Sequence, residues 1–210
     1  MEVLTSEVAR YLGYRGAEPD ARVSSLVKEL NAEFSAKTAP KSVYGIWTCR
    51  VDSSSVALPD ITIMSKSLAK RLENCSRAVL LAATLGPEAD TLIRRYSVQD
   101  MEKAVIAQAV CAAMIEVYCD KVEGDIAKES GLCGLCAAER FSPGYGDFDM
   151  AHQKDIVNLL NCDRKIGLAL TSGYMLVPSK SLTAVIGFGG ENTKNTGSCE
   201  DCSVKQCLFS

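Results

Sequence analysis

The chain has 210 residues, 47% of them apolar and 23% charged, with a formal net charge of −3. That length allows one large domain with small additions, and that apolar share supports a real core. The weakly acidic balance excludes the electrostatic footprint of a nucleic-acid binder. The most apolar run, residues 104–119, is interrupted by Gln108 and Glu116. It is too short and too polar to span a bilayer. No basic start leads into an apolar stretch and a small-residue cleavage site, so no secretory leader is expected and a cytoplasmic protein is. The ten cysteines are then expected to be reduced thiols or metal ligands rather than disulfides.

Residues 6–12 predict a short helix stopped at Gly13. Residues 19–34 place Val23, Leu26, Val27 and Leu30 at helical spacing. Residues 41–51 are rich in β-formers (Val43, Tyr44, Ile46, Trp47) and predict a strand, with a second short one at 61–63. Helical spacing returns over 65–74. Residues 77–85 carry Val79, Leu80 and Leu81 as a buried strand. Pro87, just after Gly86, opens a helix at the favoured first position. Ser97-Val98-Gln99-Asp100 matches a capping pattern and is expected to start the longest helix, running to about residue 129. That helix is apolar on most faces in its middle, which places it centrally. A loop over 130–147 follows, then a helix over 152–161 and β-rich stretches over 167–176 and 182–187. Residues 187–190 are glycine-rich but open no helix, so they read as a tight loop rather than a dinucleotide fingerprint. Strands and helices that do not alternate strictly favour the α+β class. Cys49, Cys75, Cys111, Cys119 and Cys162 read as small core residues. Tyr11 and Tyr174 read as core aromatics, and His152 as a surface or capping residue.

The loop before the helix over 152–161 holds the most informative stretch, Arg140-Phe141-Ser142-Pro143-Gly144-Tyr145-Gly146-Asp147-Phe148. Pro143 suits the second position of a turn, and Gly144 the positive φ of the third. Arg140 can hold a carboxylate through two parallel hydrogen bonds. Tyr145 offers a flat apolar face with a polar tip. The set suits a small ligand with a carboxylate at one end and a flat ring at the other. A Pro-Gly surface turn beside a solvated arginine is the alternative. Glu116, inside an apolar helix, is costly to bury unless paired or ligand-bound.

Arg140 to Tyr145 resembles the Arg-x-x-Pro-Gly-Tyr motif of the activation domain of cobalamin-dependent methionine synthase. Residues 170–183, Leu-Thr-Ser-Gly-Tyr-Met-Leu-Val-Pro-Ser-Lys-Ser-Leu-Thr, look like that family's Leu-Thr-Glu-Ser…Met-x-Pro-x-x-Ser-Val-Ser segment, with Ser172 in place of the usual Glu. Residues 8–16 look like the opening of its short stand-alone relatives. The resemblance implies a single curved domain over residues 1–192, with a helical part at 1–37, a twisted and largely antiparallel sheet, and packed helices. It also implies S-adenosylmethionine as ligand. By that resemblance Arg140 holds the ligand's carboxylate, Ser142 lends its backbone, and Gly144 and Tyr145 lie on the adenosine side. Glu116 stands one turn after Ala112, the position of a family acid, and either substitutes for it or the contact is missing. Asp147 is a further candidate for the ammonium or sulfonium. Two family features have no match here: an aspartate supplied from upstream, and an aromatic segment replaced by residues 187–192.

Residues 193–210 form a cysteine-rich tail in which Cys199, Cys202 and Cys207 make a C-x2-C-x4-C cluster. Cys133 and Cys136 make a C-x-x-C just before the signature. Thiolates so close suit zinc or an iron–sulfur cluster, with free thiols on a polar tail as the alternative. The leading expectation is an accessory subunit that binds S-adenosylmethionine and supports reductive remethylation of the corrinoid of a separate cobalamin-dependent methionine synthase or other corrinoid protein. Flavodoxin or ferredoxin would supply the electron. The alternatives are a metal or iron–sulfur redox module, and a corrinoid-protein chaperone that binds no nucleoside.

Overall fold

In the computed structural model, the described residues are 3–14, 17–129, 132 and 134–191. A four-stranded sheet in the order β1-β5-β9-β6 runs through the middle, every pairing antiparallel. Its strands are β1 (Lys41–Thr48), β5 (Cys75–Thr84), β6 (Leu135–Ala137) and β9 (Ser181–Glu191). β5 is central, and side chains alternate across a strand. Val79, Leu81 and Ala83 enter one core, while Ala78, Leu80 and Ala82 enter a second on the opposite face. This double burial makes β5 a continuous apolar run rather than an alternating one.

The first core is closed by α1 (Thr5–Tyr11), α2 (Ala21–Lys37), α4 (Pro87–Gln99) and α5 (Met101–Ile126). The second is closed by α3 (Lys66–Arg71), α6 (His152–Leu160) and α7 (Cys162–Ile166). A small sheet of β2 (Arg50–Val51), β3 (Ser55–Ala57) and β4 (Thr62–Met64) adds Val56 and Ile63 to it. The chain is an α+β domain built around the long helix α5. No helix among the described residues is long and apolar enough to cross a membrane.

Local chemistry explains most boundaries. The Asp20 and Ser65 side chains accept from the N–H groups of Val23 and Leu68 and start α2 and α3. Gly86 takes φ +90° before Pro87. The expected cap of α5 shifts by three residues. Ser97 lies inside α4 and donates its hydroxyl to the Ile93 carbonyl, while Asp100 accepts from Lys103 N–H at 3.1 Å. The β-rich stretch expected over 167–176 folds as a hairpin of β7 (Ala169–Leu170) and β8 (Leu176–Val177).

The glycines at 187–190 do not form a tight loop but continue β9. Gly189 faces Cys75 on one side and Cys136 on the other. A Cβ on Gly189 would stand 2.2 Å from the Asn74 carbonyl oxygen and 2.4 Å from Cys75 Cα. Glycine there answers a close backbone approach. Cys111, Cys119 and Cys162 are buried as expected, and burial pushes their thiols up to about 12, about 12 and about 11. Cys49 and Cys75 are only partly buried.

Candidate functional site

Glu116, Asp120 and Glu123 follow one another at i, i+4 and i+7 on α5, which places them on one stripe of the helix. Arg140 reaches this stripe from the signature loop. Its Nη1 donates to Asp120 at 2.6 Å and to Glu123, and its Nη2 donates to Glu116. The arginine side chain is 13% exposed and that of Glu123 8%, while Glu116 and Asp120 remain about one-third open. Burial alone would lower the guanidinium's affinity for its proton. The charge of Glu123 and the bonds to all three acids outweigh that and raise it. Burial lifts the Glu123 carboxyl above its ordinary value, and Arg140 offsets only part of the rise. One cation among three acids leaves a formal surplus of two negative charges on this wall.

The signature loop is held by the sheet. Phe141 and Val185 exchange two backbone hydrogen bonds of 2.9 Å. The turn expected at Ser142-Pro143-Gly144-Tyr145 forms, with Tyr145 N–H donating to the Ser142 carbonyl at 3.3 Å and Gly144 at φ +95°. Gly144 N–H then donates to the Phe148 carbonyl at 2.7 Å. The Phe141 ring stacks on Phe148, with centroids 6.1 Å apart, and carries the Arg71 guanidinium 4.6 Å above it. Asp147 accepts from the Ser65 hydroxyl at 2.7 Å and from the N–H groups of Lys66 and Ser67. Those bonds, led by the Ser65 hydroxyl, hold its carboxyl well below the usual range. Asp147 thus adds to the Ser65 cap at the start of α3 and lines neither of the two cavities that flank the Pro-Gly turn.

Two cavities that share lining residues flank the Pro-Gly turn. The larger, about 650 Å³, is walled by Arg10 and Tyr11 of α1, by Glu116 and Asp120, and by Arg140 and Ser142. The smaller, about 320 Å³, runs under the turn toward the start of β9. Both include Tyr11, Glu116, Ser142, Tyr145 and Leu182. The volumes fall in the range of about 300–1,000 Å³ usual for small-molecule sites. The floor of the smaller one is tied down by α4 and β5. Ser179 donates its N–H and hydroxyl to Asp90, and the Ser181 hydroxyl donates to Thr84 Oγ1 at 2.7 Å.

Of the six ligand residues named from sequence, Glu116, Arg140, Ser142 and Tyr145 meet at these cavities, whereas Gly144 and Asp147 shape the loop. Arg140 is not an open fork, since three of its five N–H donors already hold acids of α5. Asp120 and Glu123 were missed, although their spacing of four and seven residues from Glu116 on α5 was the available signal. Tyr11 is not a core aromatic. It is 42% exposed at the cavity mouth under the Arg10 guanidinium, 5.2 Å from its ring centroid. Tyr174 is partly exposed too, at φ +59°, in a separate polar cleft with Ser172, Lys154 and Arg164. His152 pairs with Asp155 at 2.8 Å on α6 and leans on Phe148.

Among the described residues, no group of three or more His, Cys, Asp or Glu side chains could hold a metal ion. Cys136 is exposed on β6. Cys133, Cys199, Cys202 and Cys207 lie outside the described residues.

No family model and no curated protein matches the sequence. A solved structure does match the fold. The chain is similar to the crystal structure of the MetH reactivation domain bound to AdoHcy, with a TM-score of 0.63 and 14% identity over 94% of this chain and 79% of that one.

Proposed function

We propose that these neighbouring cavities bind S-adenosylmethionine and that the protein presents its methyl sulfonium to the corrinoid of a separate cobalamin-dependent methionine synthase. The observation that carries this is the convergence of Glu116, Arg140, Ser142 and Tyr145, from a helix and a loop far apart in sequence, on one pair of cavities. The fold likeness to a domain solved with AdoHcy bound supports it. The cationic ammonium and sulfonium suit the negative wall of Glu116 and Asp120. The carboxylate suits the two remaining Arg140 donors and Arg10, which makes no ion pair among the described residues. The nucleophile belongs to the partner's reduced corrinoid, and an electron donor such as flavodoxin or ferredoxin completes the scheme. This chain's residues bind and orient. Titration calorimetry with S-adenosylmethionine tests the reading. Saturable binding is expected, weakened about ten- to a hundredfold by Glu116→Gln, since a charge-assisted hydrogen bond is worth about 1.5–3 kcal/mol. No heat of binding, with or without a corrinoid protein, rejects it.

A second reading draws on one placement. Leu135 pairs with Glu191, the last described residue, and Cys136 pairs with Gly189. The chain therefore leaves the described part beside β6, which carries Cys136, eight residues before Cys199. A zinc or iron–sulfur site shared by the two cysteine groups is compatible with that. Metal analysis of anaerobically purified protein is expected to find stoichiometric iron or zinc, lost in a Cys199→Ser, Cys202→Ser variant. A metal-free wild type ends this reading and leaves the first intact.

A further inference from the structure

The charged side chains that line the larger cavity fall into two bonded groups and a remainder. Arg71 pairs with Glu139 at 2.5 Å. Arg140 is held by Glu116 and Asp120, and by Glu123, which does not line the cavity. The remainder is Glu7 and Arg10, three residues apart on α1, and neither makes an ion pair among the described residues. The two arginines without a simple partner differ in their surroundings. A carboxylate brought to Arg140 meets two surplus negative charges, because Glu116 and Asp120 stand open beside that guanidinium. The charge that draws a ligand's ammonium to this wall therefore turns its carboxylate away. Glu7 and Arg10 together are formally neutral, so no such surplus opposes an anion at Arg10.

The position of Arg10 is the second observation. Its guanidinium lies over the Tyr11 ring, 5.2 Å from the centroid, and Tyr11 lines both cavities. A guanidinium resting on a ring by its face keeps its in-plane N–H donors for another partner. Burial and the charge of Glu116 raise the Tyr11 hydroxyl above its ordinary value, and the charge of Arg10 works against them. The cation of α1 and the acidic wall of α5 thus flank one phenol, as the two ends of an amino-acid group require.

We propose that Arg10, and not Arg140, reads the carboxylate of the ligand's amino-acid arm through two parallel hydrogen bonds, while Arg140 holds in place the acids that take the ammonium. This rests on the S-adenosylmethionine reading above and decides between the two cations offered there. It makes α1 part of the binding site and makes the site selective for nucleosides that carry an intact α-amino acid.

The test is calorimetric titration of the wild type, Arg10→Met and Arg10→Lys with two probes, S-adenosylmethionine and its decarboxylated form, which keeps the sulfonium and the amine. The wild type is expected to bind the carboxylated probe at least tenfold more tightly. Arg10→Met is expected to lose that preference, with S-adenosylmethionine weakened ten- to a hundredfold and the decarboxylated probe bound as tightly as before or more so. Arg10→Lys keeps the charge without the planar fork and is expected to fall between the two. Equal binding of both probes by the wild type overturns the proposal and leaves the S-adenosylmethionine reading standing. So does a full preference that survives in Arg10→Met. If neither probe binds the wild type, the S-adenosylmethionine reading falls and this one with it. Arg10 is exposed, and should the methionine variant still fail to fold, the wild type and Arg10→Lys decide.

Discussion

Arg140→Met is expected to destabilise the protein by about 3–5 kcal/mol, the cost of removing one partner from a buried ion pair. A solvated surface arginine would cost under about 0.5 kcal/mol, so urea denaturation separates the two situations cleanly. The effect arises because Glu123, only 8% exposed, loses its counterion while Asp120 and Glu116 stay beside it. The loss must depend on pH in a definite direction. Without the guanidinium the Glu123 carboxyl is raised further above its unfolded value, so the folded variant binds more protons than the unfolded chain. Its stability therefore falls as pH rises and recovers as pH drops through the raised value. The gap to wild type should be narrower at pH 5 than at pH 8. Adding Glu123→Gln to Arg140→Met should recover part of the stability at pH 8. A gap that does not change with pH contradicts the ion-pair explanation.

Gly189→Ala is expected to cost about 3 kcal/mol, at the upper end of ordinary overpacking. The new methyl meets backbone atoms, the Asn74 carbonyl oxygen and Cys75 Cα, and neither can swing aside as a side chain would. Relief requires β9 to move away from β5 at the register shift between Cys75 and Arg77. Gly190→Ala provides the contrast. Gly190 sits at φ +70° with open space around its Cβ direction, so only the backbone conformation is penalised, by about 1–2 kcal/mol. Thermal or urea unfolding of the two variants should rank them in that order. The reverse ranking would mean that the close approach of Asn74 to β9 does not exist.

These two positions also show what the sequence could reveal. The turn at Ser142 to Tyr145 was legible because proline and glycine constrain the backbone locally. Helices α1 to α5 and strand β5 were legible because periodicity is a local signal. The run at residues 187–190 was misread because glycine in a strand answers a neighbour, here Asn74 on a distant segment, that periodicity cannot see. Strands β3 and β6, three residues each, have too little pattern of their own and exist through pairing. The candidate site shows the same divide. Arg140 and Glu116 were each visible as residues in need of a partner. That they are partners of each other, with Asp120 and Glu123, depends on how the loop over 138–145 is laid across α5 by the Phe141–Val185 bridge.

The central position of β5 has a consequence for synthesis. On one side it pairs with β1, which emerges from the ribosome shortly before it, but its other edge waits for β9, about a hundred residues later. During that interval a nascent chain carries an almost entirely apolar strand with a row of unmet N–H and C=O groups, the kind of edge that recruits other chains. Translation stalled or truncated before residue 181 is thus expected to release an aggregation-prone fragment and not a smaller working domain.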